Sequence, residues 1–195
     1  LTLAASVIPS KLSPPVHIDS SGTHRFFQSW GDGGMSNRTI IFVALVLASW
    51  GVMTLTHEAG HLVAGWLSGA KLVDYDLTPW RLPYSIHHPD PYPRVTIWGG
   101  PILGVLIPLL AAATFRKRST RFIADFCLVA NGTYLAVSAF SNDPHLDTQR
   151  LLRAGESPLV IALYCLVTIG IGYFRFRNDC ISLFSTPVVS KPVAD

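Results

Sequence analysis

Residues 39–70 read TIIFVALVLASWGVMTLTHEAGHLVAGWLSGA, and the interpretation of the whole chain turns on them. From Thr39 to Thr56 there is no charge; the segment then enters His57-Glu58-Ala59-Gly60-His61 and stays apolar beyond it. As a helix this stretch would extend about 48 Å. The hydrocarbon core of a bilayer is about 30 Å thick, so the helix must tilt or emerge at one end. A charged side chain at the bilayer centre costs roughly 2.5–3.5 kcal/mol. Three ionisable groups in so short a run therefore ask for a metal ion or a water-filled cavity. The H-E-x-x-H spacing points to the metal. Positions i and i+4 share a helix face, so both imidazoles can reach one ion, and Glu58, about 100° round, is placed to hold a water there. Zinc would bring the pKa of that water towards about 7, and Glu58 would take its proton.

The rest of the chain fits a membrane setting. Of 195 residues, 49% are hydrophobic and 14% charged, with a mean hydropathy of +0.37. A soluble domain carries roughly 25% charged residues, so too few charges remain here to cover a water-facing surface. Residues 95–115 are uncharged and flanked by Arg94 and by Arg116, Lys117 and Arg118. Residues 122–140 form a third span, with Asp125 and Asn131 as polar exceptions, and 158–174 a short fourth, ended by Arg175 and Arg177. The expected fold is an all-α integral membrane protein of about four transmembrane helices, within a domain covering 35–180. Residues 1–34 are rich in Ser, Pro, Gly and His without periodicity, and read as a disordered or non-native leader ahead of Met35; 181–195 read as a tail. The net charge is +3. Its basic residues sit between apolar stretches, a pattern of anchoring to a lipid bilayer that argues against a nucleic-acid partner. Cys127, Cys165 and Cys180 are odd in number and two lie in apolar runs, so neither a disulfide framework nor a cysteine zinc site is expected.

Catalytic zinc usually takes three protein ligands and keeps one open position. The third must come from outside the helix, and Asp125, Asp143, His145, Asp147, His87 and His88 are the candidates. Helices one and three run parallel because one helix separates them. The end of the third span thus returns to the face that carries HEAGH, whereas Asp125, at its start, lies on the opposite face. This favours the 143–147 cluster. His87 and His88 sit in a Pro-rich connection, 71–94, and read as solvated; Lys71 to Leu77 alternates weakly, as a short strand would.

HEAGH at the end of an apolar helix, Gly99-Gly100-Pro101 in the next, and Asn142-Asp-Pro-His-Leu-Asp147 after the third together resemble the site-2 protease group of intramembrane zinc metalloproteases, the M50 peptidases. The likeness covers residues 39 to about 153. It implies a three-helix metalloprotease core and a third ligand at Asp147, the Asp that ends the family's Asn…Pro…Leu-Asp-Gly motif. Thr148 stands where that family has Gly, Asn142 and Pro144 lie closer to Asp147 than usual, and the Asn that often follows the Gly-Pro is absent.

Gly100-x-x-x-Gly104 and Gly65-x-x-x-Gly69 read as generic helix packing, and Asn131 as interhelical glue. Trp50, Trp66, Trp80 and Trp98 fit interfacial belts. Basic residues favour a cytoplasmic N-terminus and hence a metal near the outer face, whereas the resemblance implies a site nearer the cytoplasm; orientation stays open at this stage. The expected activity is zinc-dependent hydrolysis of a peptide bond in or near the transmembrane segment of a membrane protein substrate, in the cell (inner) membrane. His57, His61 and Asp147 would bind Zn2+, with Glu58 as general base. Two alternatives are a zinc-binding membrane protein without proteolysis, acting as a regulatory or binding partner, and a small metal or proton transporter.

Overall fold

The computed structural model describes residues 36–78 and 83–185. The expected leader, the residues from 186 onward, Trp80 and Arg81 lie outside the described residues. Helix α1 spans Asn37–Leu67. Its first turn is capped by Ser36, whose side chain accepts from the Thr39 amide, and it stops at Ser68 and Gly69, the glycine supplying φ +79. A hairpin follows, with β1 over Leu72–Asp76 paired antiparallel to β2 over Tyr84–His87. Helix α2, Pro93–Phe115, opens on a proline that its first turn tolerates and runs on through Pro101 and Pro108. Then come α3 over Arg118–Ser138, a short α4 over Asp147–Arg153, and α5 over Pro158–Phe184.

Three of these helices, α1, α2 and α5, are long and apolar enough to cross a membrane. Their burial is inverted relative to a soluble bundle. Ser49, Thr96 and Asn131 are fully enclosed, while Leu47, Trp66, Leu159 and Leu166 stand largely exposed. A bilayer favours this arrangement, because lipid tails solvate apolar side chains and each enclosed polar group must find a partner inside. Helix α3 is less apolar, carrying Arg118, Arg121, Asp125 and Asn131, but it packs against α1, α2 and α5 together. Its polar residues thus meet other helices. Thr96 Oγ1 lies 3.3 Å from Ser68 Oγ, joining the end of α1 to the start of α2. At the other end, Arg38 donates to the carbonyls of Phe184 and Ser185 at 2.9 and 3.1 Å.

Several expectations are corrected. The chain is mostly but not wholly helical, since the 71–94 connection folds into the hairpin. Its alternation is weak because β1 is exposed on nearly every residue; only Ser85 of β2 is buried. The helix of the fourth apolar run does not stop at Arg175, and it passes 181: α5 continues to Phe184. Charge ends an apolar span without ending a helix, and here Arg175 turns inward to Asp125 at 2.7 Å. The polar connection 141–157 contains α4, which the turn residues at its start obscure.

Candidate metal centre

His57, Glu58 and His61 face inward from α1, with one donor atom of each lying within 4.8 Å of the others, a group able to hold a metal ion. Asp147, the first residue of α4, joins them. Its Oδ2 is 2.8 Å from His57 Nε2 and 3.2 Å from His61 Nε2. All four residues are at most 6% exposed. Four ligand atoms placed tetrahedrally about 2.1 Å from a zinc ion would be about 3.4 Å apart, so these separations are slightly tight but of the right size.

The hydrogen-bond partners assign the protons. His61 Nδ1 lies 2.9 Å from the Thr96 carbonyl, which only accepts, so Nδ1 carries the hydrogen. His57 Nδ1 lies 2.7 Å from Asn131 Oδ1, and the Asn131 amide nitrogen donates to the Cys127 carbonyl at 2.9 Å, which orients the amide. With Nδ1–H so committed, a neutral ring presents its Nε2 lone pair where Asp147 Oδ2 sits, so three ligating atoms converge on one buried point, and in the protonated form the same Nε2 donates to Oδ2. A cation bound there would satisfy such a set, and Thr96 and Asn131 are placed as the outer partners that would fix the tautomers of ligating histidines. Burial opposes ionisation of Asp147, but the adjacent His61 and His57 outweigh it and hold its carboxyl below the usual range. Arg150 Nη1, 3.8 Å from Asp147 Oδ1, adds to this.

The glycines are part of the site, which corrects their reading as generic packing. A methyl group at Gly60 would strike the Gly99 backbone, and one at Gly100 would overlap the His61 ring. One at Gly104 would lie 2.7 Å from Asn131 Oδ1. The small residues of α2 thus make room for a ligand and for its orienting amide. Gly65 likewise leaves space for the His87 ring, whose Nδ1 is buried without a hydrogen-bond partner. His87 is accordingly half-buried rather than solvated, and desolvation lowers its pKa.

Glu58 lies beside the ion-binding atoms, on the wall of a cavity of about 70 Å³ that Trp50, Met53, Thr54, His57, Pro83 and Tyr134 complete. That volume suits one or two waters. Ser85 Oγ donates to Glu58 Oε2 at 3.5 Å, so the hairpin reaches the site through this residue. Of the other candidates, Asp125 pairs with Arg175 at the far end of the bundle. Asp143 and His145 are exposed, and Asp143 is engaged by the His145 amide at 2.9 Å. His88 is exposed. Thr148 is seated: its hydroxyl donates to the Leu135 carbonyl at 2.7 Å and accepts from Ser138 at 2.8 Å. Of the tryptophans, Trp50 and Trp66 are exposed. Trp98 instead donates to Glu156 Oε2 at 2.8 Å.

Thr96, Ser85 and Tyr134 carry no signal in the sequence, because nothing in their spacing relates them to HEAGH; Asn131 was visible only as a polar residue in an apolar run. No family model, curated protein or solved structure matches the chain.

Proposed function

We propose that this protein is an intramembrane zinc metalloendopeptidase, of the site-2 protease kind, that hydrolyses a peptide bond in or near the membrane segment of another protein. The observation that carries the reading is the convergence of His57 Nε2, His61 Nε2 and Asp147 Oδ2, with both Nδ1 atoms already committed and Glu58 beside them on a water-sized cavity. In this reading α3 crosses the bilayer as a fourth span, enclosed by the other three.

His57, His61 and Asp147 would hold the ion. Zinc bound there would acidify a water and polarise the scissile carbonyl. Glu58 accepts a proton from the attacking water as its oxygen bonds to the carbonyl carbon, and returns that proton to the amide nitrogen as the carbon–nitrogen bond breaks. Asn131 and Thr96 keep the imidazoles in the ligating tautomer. Ser85 steadies the Glu58 carboxylate. A helical substrate hides its carbonyls in hydrogen bonds, so it must unwind locally to reach the cavity, and helix-breaking residues in the substrate favour this. Thr148 poses no steric obstacle, since its side chain points at Leu135 and Ser138.

The test is metal content and cleavage measured together on the protein purified from membranes in detergent. Wild type should carry one zinc and cut a transmembrane peptide. His57→Ala and Asp147→Asn should lose the metal, and Glu58→Gln should keep it while losing cleavage. Function unchanged in Glu58→Gln would point instead to a binding or regulatory role, and metal flux in liposomes without cleavage to a transporter.

A further inference from the structure

We propose that Tyr134 is a catalytic residue of this site, its phenolic hydroxyl donating a hydrogen bond to the oxyanion that forms when water adds to the scissile carbonyl. This rests on the peptidase reading above. Such an oxyanion needs donors fixed in advance, and α1 supplies none from its backbone. Only the first four amides of a helix are unpaired, and His57 and Glu58 lie about five turns into α1. A side chain at the cavity can supply one. The hydroxyls of Ser85 and Thr148 are directed at Glu58 and at the Leu135 carbonyl, and that of Thr96 pairs with Ser68.

Tyr134 is differently placed. It lines the small cavity together with Glu58 and His57. Its ring stands edge-on to the His57 imidazole, with centroids 5.4 Å apart and planes at 90°, so its tilt is fixed by a metal-ligating residue. A phenolic hydroxyl carries one hydrogen that it can donate. In the reaction the carbonyl π electrons move onto oxygen as the water oxygen bonds to carbon and Glu58 takes the proton. Tyr134 donates a hydrogen bond to that oxygen without giving up its proton, and the bond relaxes when the amine leaves.

The experiment compares wild type with Tyr134→Phe in detergent, following zinc content, kcat and KM on a transmembrane peptide, and the affinity of a phosphinic peptide that mimics the tetrahedral state. The expected result is unchanged zinc, KM within about threefold, and both kcat and phosphinate affinity lowered about 10²–10³-fold. Replacing Tyr134 by p-aminophenylalanine, which keeps a donor at the same place, should recover a large part of both; this variant decides the matter if the phenylalanine protein folds poorly. A fully metallated Tyr134→Phe that matches wild type in both readouts overturns the role of Tyr134 alone. A wild type that binds zinc but neither cleaves nor takes the phosphinate overturns the peptidase reading and this inference with it.

Discussion

Asn131→Ala isolates how the fold prepares the metal site without touching a ligand. The Asn131 carboxamide accepts from His57 Nδ1 at 2.7 Å and is wholly enclosed. Removing it takes the Asn131 acceptor away from a buried His57 N–H, which costs about 1–3 kcal/mol. Part of that cost falls on the fold. The rest falls on metal binding, because the freed imidazole can rotate or change tautomer and must be returned to the ligating form. Loss of an outer partner of a ligating histidine lowers metal affinity roughly 10–100-fold, equivalent to about 1.4–2.7 kcal/mol, so the two estimates agree in size. The assay is competition for zinc against a chromogenic chelator, run on wild type, Asn131→Ala and Asn131→Asp. The aspartate keeps an acceptor opposite Nδ1 and should retain most of the affinity, whereas the alanine should lose at least tenfold. Equal zinc affinity in Asn131→Ala and wild type would refute the view that this hydrogen bond sets the histidine tautomer.

Gly100→Ala places a methyl group on the His61 ring; overpacking of this kind costs about 1–3 kcal/mol, and zinc content should fall although no ligand is changed. Arg175→Ala strips the ion-pair partner from Asp125, which is 3% exposed; the half-exposed arginine limits the cost to about 1–3 kcal/mol, read as a lower melting temperature with zinc retained. Thr148→Gly should loosen the seat of Asp147 and weaken zinc binding, while Thr148→Ser should not; chelator competition separates the two. Arg116, Lys117, Arg121 and Arg177 lie at helix ends remote from HEAGH in the chain, and the positive-inside rule favours a cytoplasmic place for that end. A cysteine introduced at Asp143 in a cysteine-free chain should therefore react with an impermeant maleimide added to intact cells, and labelling only after permeabilisation would reverse the orientation.

The parts of this protein that were legible in its sequence are those governed by a local period. HEAGH declares its shared face because four residues make about one helical turn, and the apolar runs declare α1, α2 and α5 because lipid demands uninterrupted hydrophobicity. The 143–147 cluster needed one non-local step, the parity of helix directions, which also excluded Asp125; within that cluster only the resemblance to the site-2 protease pattern singled out Asp147. What stayed hidden depends on helix rotation and close approach. Gly99, Gly100 and Gly104 look like any small-residue stripe until α2 is turned so that His61 and Asn131 fill the space they leave. Ser85 reaches Glu58 only because the hairpin folds back on α1, and β1, exposed on nearly every residue, gives almost no alternation from which that hairpin could be read.

Thr148 shows how the residue after Asp147 can seat the carboxylate. Carbonyls at the end of α3 can accept a second donor through a spare lone pair; that of Leu135 already takes the Ala139 amide at 3.2 Å. The first turn of α4 supplies partners: Thr148 donates to Leu135, and the Gln149 amide donates to Ala139 and Ser141 at 3.2 and 2.8 Å. These bonds fix the start of α4 against the end of α3, and Asp147 is the residue at that junction. Asn131, Tyr134, Leu135 and Ser138 recur at spacings of three and four, so they share one side of α3. That side therefore orients His57, borders the cavity beside Glu58, and seats the loop that delivers the carboxylate. A glycine at 148 could make none of the side-chain bonds. The position of Asp147 would then rest on the Gln149 bonds and on its own contacts with His57 and His61. The threonine therefore anchors the carboxylate to α3, independently of anything held between the histidines.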